Sequence, residues 1–229
     1  PSTHAREGLS RGDLEVVNFF VTGTDTEVGK TFFTALLVRT LRASGIDAVG
    51  FKPVACGGWG DVDALVDAAG GVEDRAALCP IHFAMPASPL TAAFAEERVV
   101  EPRKILEAYR ALAARHEMVI VEGIGGWLVP LTPDYSVADL ACDLGLPVVV
   151  VVRNRLGALN HARLTVEHIG FRRLECLGLV LNNVDVPDEP AAHSNRATLE
   201  RMSVVPVICE LMHGQTTLDL SVLRLPGLR

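Results

Sequence analysis

The most informative segment of this chain reads Gly23-Thr24-Asp25-Thr26-Glu27-Val28-Gly29-Lys30-Thr31. It follows a largely apolar run, Val16–Val21, and leads directly into an amphipathic stretch, Lys30–Ser44. A strand, a glycine-bounded turn and a helix in this order let backbone N–H groups converge on phosphate oxygens at the helix N-terminus. Lys30 is expected to reach the β- and γ-phosphates, and the Thr31 hydroxyl to ligate Mg²⁺. Because five residues instead of the usual four separate the two glycines, the segment is a variant phosphate-binding loop.

Short apolar runs continue to alternate with amphipathic stretches along the rest of the chain. Further strands are predicted at Ala48–Val54, Met118–Glu122, Pro147–Val152, Leu177–Leu181 and Val204–Ile208. Further helices are predicted at Arg103–His116, Val137–Leu144, Leu156–Gly170 and Pro190–Met202. No repeat or linker interrupts the pattern. It predicts a single α/β domain over residues 16–229, with a P-loop NTPase-like three-layer fold in which helices flank a mostly parallel central sheet.

Composition excludes several classes of protein. Of 229 residues, 49% are apolar and 21% charged, which predicts a sizeable core and excludes a disordered chain or a coiled coil. Acidic residues outnumber basic ones by 28 to 21 and the basic residues form no runs, so no nucleic-acid partner is expected. The five cysteines are widely spaced without a C-x-x-C motif, which favours neither disulfides nor zinc and predicts a reducing, cytoplasmic location.

Two segments need separate interpretation. The uncharged stretch Ala76–Ala95 is long enough to span a bilayer, but it contains three prolines and His82, so we predict a loop and no membrane association. Residues 1–15 mix both charge signs and lack an apolar core. They are predicted to be a flexible N-terminal extension and not a secretory signal.

Several polar residues fall where predicted strands or turns end, the usual place for ligands of a parallel sheet. Lys52 is one of only three lysines in a chain with eighteen arginines, and Pro53 after it disfavours helical geometry. Glu122 ends a buried strand and is followed by glycines that let backbone approach an anion. Asn182 either reads an adenine edge or holds a loop. The N–H groups at Gly157 either bind a substrate carboxylate or simply begin a helix.

The segment T-G-T-D-T-E-V-G-K-T resembles the phosphate loop of the dethiobiotin synthetase family. Further segments in the same order are similar to that family and together cover roughly Val16 to Glu210. They are Phe51-Lys52-Pro53-Val54-Ala55, Asp63-Ala64-Leu65, Phe83-Ala84-Met85-Pro86-Ala87-Ser88-Pro89, Val121-Glu122-Gly123-Ile124-Gly125-Gly126-Trp127, Leu156-Gly157-Ala158-Leu159-Asn160-His161-Ala162 and Asn182-Asn183-Val184.

The resemblance implies an ATP-dependent ligase that joins CO₂ to 7,8-diaminopelargonate and closes the ring of dethiobiotin, through a carbamate and its mixed anhydride with phosphate. It implies ATP and Mg²⁺ as cofactors, and a homodimer whose sites lie at the subunit interface. The implied catalytic residues are Lys52, Lys30 and Thr26. The implied ATP-binding residues are Thr24, Asp25, Glu27, Val28, Gly29, Lys30, Thr31, Glu122, Gly125 and Asn182. The implied substrate-binding residues are Cys56, Pro86, Ser88, Gly125, Leu156, Gly157 and Asn160.

The implied metal ligands are Thr31, Asp63 and Glu122. Asp61 is an equal candidate by residue type, and only the Asp-Ala-Leu match favours Asp63. Oxygen ligands of this kind are those that Mg²⁺ prefers.

The sequence departs from the family at three places. Cys56 and Leu90 stand where Ser and His are usual, and Cys209-Glu210-Leu211-Met212 replaces Gly-Glu-Ile-Pro. The first change exchanges a hydroxyl for a weaker hydrogen-bond donor in the substrate site. The last weakens any inference about base and ribose contacts near the C-terminus.

Two alternatives remain from other P-loop proteins. A cobyrinate amidase-type ligase would need an additional glutaminase domain, for which the chain offers no room. A ParA- or MinD-like ATPase switch usually carries a second Lys early in the phosphate loop, where this chain has Thr24 and Asp25. The tail Leu218–Arg229 contains only two arginines, too few to favour a basic membrane helix.

Overall fold

The computed structural model describes residues 17–184, 190–202, 205–220 and 223. The predicted extension, residues 1–15, lies outside these ranges, as do Val16 and Val204 at the starts of two predicted strands and residues 224–229 of the tail.

The described residues form strands and helices in the predicted alternation. The strands are β1 (Phe19–Gly23), β2 (Ala48–Phe51), β3 (Val54–Cys56), β4 (Ile81–Phe83), β5 (Met118–Gly126), β6 (Pro130–Thr132), β7 (Tyr135–Ser136), β8 (Val148–Arg153), β9 (Cys176–Asn182) and β10 (Val207–Leu211). The helices are α1 (Lys30–Ala43), α2 (Gly60–Ala68), α3 (Arg75–Leu78), α4 (Pro89–Ala95), α5 (Pro102–Ala113), α6 (Val137–Leu144), α7 (Ala158–Phe171) and α8 (Pro190–Met202).

Six strands build the central sheet in the order β10-β9-β8-β1-β5-β2. Every pairing between them is parallel, which confirms the predicted fold class. The run Val148–Val152 is fully buried, as expected for a strand covered on both faces by helices. Since β1 lies between β8 and β5, the loop that follows it opens at the middle of the carboxyl edge of the sheet.

The predicted strand Ala48–Val54 is instead two strands, because it breaks at Lys52-Pro53. Pro53 has no N–H to donate to a neighbouring strand. The Lys52 N–H turns away and donates to the carbonyl of Leu78 at 2.8 Å. Beyond the break, β3 pairs with β4 in a separate two-stranded sheet. Lys52 therefore lies just beyond the end of β2, at the carboxyl edge of the central sheet.

The prediction of a loop over Ala76–Ala95 is wrong, since this stretch contains the end of α3, β4 and α4. Proline does not prevent helix formation here. Pro89 is the first residue of α4, where the helix needs no backbone N–H donor. Among the described residues, no helix has the length and apolarity needed to cross a membrane.

Candidate active site

The phosphate-binding loop joins β1 to α1 as predicted. Gly29 precedes the first helical residue with φ of 95°, and no side chain caps the helix, which leaves its first N–H groups facing the cavity. A Cβ atom on Gly29 would lie 2.1 Å from the Asn182 amide nitrogen, so only glycine fits there. Glu27 also has a positive φ, of 56°, a conformation that costs a non-glycine residue energy and is common at ligand-binding loops.

Lys30 lies across this loop and is almost completely buried. Its Nζ donates to the backbone carbonyl oxygen of Asp25 at 3.0 Å. Burial, followed by repulsion from Lys52, lowers the pKa of Lys30 to about 8. The ammonium donates to a neutral backbone oxygen, and an anion that enters the loop would give it a stronger, charged partner.

Lys52 is the centre of a second group of charges. Its Nζ lies 2.6 Å from Glu122 Oε1 and 2.7 Å from Asp61 Oδ2. The Thr31 hydroxyl donates to the same Glu122 Oε1 at 2.6 Å. Burial alone lowers the pKa of Lys52, but the two carboxylates outweigh it and hold the pKa above its ordinary value. Burial likewise opposes ionisation of Asp61, yet Lys52 and Thr31 keep the pKa of that carboxyl low.

Glu122 has one oxygen without a partner. The residue is fully buried in the middle of β5, not at the end of the strand as predicted, and among the described residues its Oε2 has no hydrogen-bond partner. A bare carboxylate oxygen in such a place is costly unless something binds it. With the Thr31 hydroxyl and the Asp61 carboxylate beside it, the donors are hard oxygens of the kind that Mg²⁺ takes in small number, completing its shell with water and phosphate. This donor set consists of two carboxylates and one hydroxyl. A cluster of three or more His, Cys, Asp or Glu side chains suited to a metal does not occur among the described residues.

Lys30, Thr31, Lys52 and Asp61 line a cavity of about 630 Å³, which also holds most of the predicted substrate contacts. Glu122 does not line this cavity and lies buried behind Lys52 and Thr31, which contact its Oε1. The predicted residues that line it are Thr26, Glu27, Gly29, Lys30, Thr31, Lys52, Cys56, Pro86, Ser88 and Gly125. Burial, with a smaller effect of Glu96, raises the pKa of the half-buried Cys56 thiol to about 11. Cys56 therefore remains a neutral hydrogen-bonding group at neutral pH.

Other predicted residues lie elsewhere. Thr24 and Asp25 line a second cavity of about 420 Å³ on the α7 side of the loop, and Val28 is buried beneath the loop. The Asn182 amide donates to the Val28 carbonyl at 2.9 Å and accepts from the Val184 N–H. Asn182 therefore holds the phosphate loop, one of the two roles left open by the sequence.

Asp63 does not join Lys52 and Glu122. Its carboxylate forms a two-point ion pair with Arg75, at 2.5 and 2.8 Å, and does not line the cavity. Asp61 occupies the position expected for Asp63. Two residues along a helix correspond to a turn of about 200°, so the two carboxylates point to opposite sides of α2. The Asp-Ala-Leu match favoured Asp63, and because α2 was not predicted, the sequence offered no geometric reason to prefer Asp61.

Leu156, Gly157 and Asn160 lie at the exposed start of α7, outside the main cavity. Gly157 precedes the helix with φ of 91° and no side chain caps it. Leu156 is 80% exposed, an unusual exposure for a large apolar side chain. Within this chain these residues do not complete the site described above.

Comparison with known proteins shows the family of the chain. A family model described as an AAA domain matches residues 17–216. The ATP-dependent dethiobiotin synthetase BioD of Akkermansia muciniphila is 48% identical over 208 residues, covering 90% of this chain and 97% of the relative. The protein of the same name from Anaeromyxobacter dehalogenans is 50% identical over 188 residues, covering 80% and 84%.

A solved structure, the MinD cell division protein of Aquifex aeolicus, shares the fold with a TM-score of 0.53 and 11% identity, covering 86% of this chain and 83% of that one. This distant likeness concerns the fold alone and does not outweigh the sequence relatives. The matches at up to half identity extend over most of both chains, and this chain belongs to the dethiobiotin synthetase family.

Proposed function

We propose that this protein is an ATP-dependent dethiobiotin synthetase that acts in the cytoplasm. One amine of 7,8-diaminopelargonate adds to CO₂ and loses a proton, giving a carbamate. A carbamate oxygen attacks the γ-phosphorus of ATP and ADP leaves, and the second amine then attacks the carbamoyl carbon. Phosphate and a proton depart as the ureido ring closes.

The observation that carries this proposal is the pair of buried lysines beside the phosphate loop. The reaction brings two anions together, the carbamate and the γ-phosphate, and positive charge between them lowers the barrier more than an acid or base does. Lys30 binds the phosphates from the loop side. Lys52, held by Glu122 and Asp61, keeps its charge throughout and faces the carbamate.

The metal ligands in this proposal are Thr31, Glu122 and Asp61. These residues would hold Mg²⁺, and the ion would supply positive charge that offsets the charge on the phosphates. The unpartnered Glu122 Oε2 supports this assignment, as does the position of Asp61 in the cavity. Asp63 is not proposed as a ligand.

The remaining cavity residues bind the substrates. Thr26 and Gly125 lie side by side, since a Cβ on Gly125 would be 3.5 Å from the Thr26 hydroxyl, and both contact the carbamate end of the diamine. Cys56, Pro86 and Ser88 line the path of its carbon chain. Asn182 contacts the adenine with the hydrogen-bonding capacity that remains to its amide.

We further propose that the protein is a homodimer, and that Leu156, Gly157 and Asn160 complete the diamine site of the facing subunit. Three exposed apolar side chains support this, namely Leu156 just before α7 and Leu164 and Phe171 on α7 itself. Their exposed fractions are 80%, 59% and 79%.

The activity is tested with 7,8-diaminopelargonate, bicarbonate and MgATP, following the ureido product together with ADP. One ADP is expected for each product molecule. ATP turnover that ignores the diamine and yields no ureido product would contradict the proposed activity.

Mixing two inactive variants tests the shared site. In an equal mixture of Lys52→Ala and Asn160→Ala subunits that exchange freely, half of the dimers are mixed and each has one intact site. About a quarter of wild-type activity is then expected. If each chain holds a complete site, the mixture stays as inactive as its components.

A further inference from the structure

The segment Gly57–Asp63 carries Asp61 to Lys52, and the contacts that hold this segment are made by residues outside the cavity. Trp59 precedes the first residue of α2, and it offers no side-chain hydrogen bond to the free N–H groups of the helix. A helix start without a cap depends on other contacts for its position.

Trp59 supplies those contacts through its ring. The indole stacks on the His82 imidazole, with ring centroids 3.8 Å apart and planes within 10° of each other. The Arg75 guanidinium lies over the same indole, 5.2 Å from its centroid. One aromatic side chain thus joins the start of α2 to β4 and to the first residue of α3.

The same two partners also hold the ends of the segment. Arg75 forms its two-point ion pair with Asp63 at 2.5 and 2.8 Å. His82 Nε2 contacts the Gly57 carbonyl oxygen at 2.8 Å, and the Gly57 N–H donates to the Phe83 carbonyl at 2.9 Å. Asp61 lies between these two anchored ends.

The geometry points to orientation, not stability, as the role of this group. The side chains of Arg75 and Asp63 are 52% and 42% exposed, and exposed ion pairs stabilise a fold little. A planar, two-point pair nevertheless fixes direction. Asp61 itself is about half exposed, so without such contacts its carboxylate would be free to leave Lys52 for water.

We propose that Trp59, His82, Arg75 and Asp63 form a positioning cluster that presents Asp61 to the metal and to Lys52. This inference rests on the proposed function, because it assigns Asp61 to the Mg²⁺ site. Asp63 thereby acts through Arg75 as a positioning residue and not as a ligand.

The test measures binding of the β,γ-imido analogue of ATP by calorimetry, with Mg²⁺ and with a chelator instead. Trp59→Ala should reduce the Mg²⁺-dependent gain in affinity about tenfold, as loss of groups that orient a metal ligand does, and leave metal-free affinity unchanged. Trp59→Phe keeps the stacking and should restore most of the gain. Asp63→Ala should resemble Trp59→Ala, whereas Glu200→Ala, which removes a similarly exposed partner of Arg196 on α8, should resemble the wild type.

The decisive comparison repeats Trp59→Ala in an Asp61→Ala background. If the cluster acts through Asp61, the second substitution has no further effect on the Mg²⁺-dependent gain. Three results would each overturn the proposal. The first is that Trp59→Ala lowers affinity equally with and without Mg²⁺, and the second is that its effect is undiminished in the Asp61→Ala background. The third is that Mg²⁺ does not change the affinity of the wild type. Absence of ureido product from the wild type would instead contradict the proposed function, and the binding measurements would still decide the role of the cluster.

Discussion

Replacing Lys52 with methionine removes the cation that compensates a fully buried carboxylate. The Lys52 ammonium lies 2.6 Å from Glu122 and 2.7 Å from Asp61, and its side chain is 3% exposed. Methionine fills similar space without charge. Of the partners that the described part of the chain gives Glu122, the hydroxyl of Thr31 would then remain, and Oε2 would still have none.

The structure sets the size of the expected loss. Breaking a buried ion pair by removing one partner costs about 3–5 kcal/mol. Asp61 adds little to this, because its half-exposed side chain is solvated once Lys52 is gone. We therefore expect the free energy of unfolding to fall by about 3 kcal/mol, which lowers the Tm of a domain of this size by about 6–12 °C.

Urea unfolding at pH 7 without nucleotide measures this loss, because no ligand then contributes to stability. The control is the double variant Lys52→Met/Glu122→Gln, which removes the buried charge along with its partner and should recover most of the stability. Both variants should be inactive. A single variant within 1 kcal/mol of the wild type, or a double variant no more stable than the single one, would refute the assignment of a buried charge to Glu122.

Three further outcomes are expected. Lys52→Arg should reduce turnover about a hundredfold, because a planar guanidinium cannot replace a compact ammonium between two anions, whereas Lys104→Arg on α5 should be silent; equal rates in both would contradict this geometry. Iodoacetamide should modify the Cys56 thiol slowly at pH 7 and faster as the pH approaches its pKa of about 11. The diamine together with the ATP analogue should protect Cys56 from this reaction. Rapid labelling at pH 7 that is lost in Cys56→Ser would contradict the raised pKa. Burial raises the pKa of Asp139, but hydrogen bonds, including one from Arg172, lower it to about 2, so the stability contributed by this carboxylate is complete above its unfolded pKa and is lost as the pH falls towards 2. Asp139→Asn should therefore lower the free energy of unfolding in urea by about 1 kcal/mol at pH 7. A larger loss in acid than at pH 7 would contradict the expected pH dependence.

The sequence predicted the central sheet well because its signals are local. Val148–Val152 can only be a strand buried on both faces, and the helices Val137–Leu144 and Pro190–Met202 agree with the structure to the residue. The position of the phosphate loop could also be predicted, because its glycines and Lys30 stand between a predicted strand and a predicted helix, as the motif requires.

The elements that shape the substrate side were harder to predict because they are short and depend on tertiary contacts. The helices α2, α3 and α4 have 9, 4 and 7 residues, too few for a clear apolar periodicity. The choice between Asp61 and Asp63 depended on one of them. The position of Lys52 was found because Pro53 marks the end of its strand, but the separate sheet of β3 and β4 carries no comparable signal.

The hydrogen bond from Asn182 to Val28 links residues 154 positions apart in the sequence. During synthesis, the nascent chain exposes its phosphate-binding loop long before β5 and β8, the neighbours of β1, have left the ribosome. The amide that fixes the loop arrives later still, at the end of β9. We therefore expect the loop to reach its final conformation only when the end of β9 has been synthesised, so that a chain truncated before Asn182 should bind nucleotide weakly.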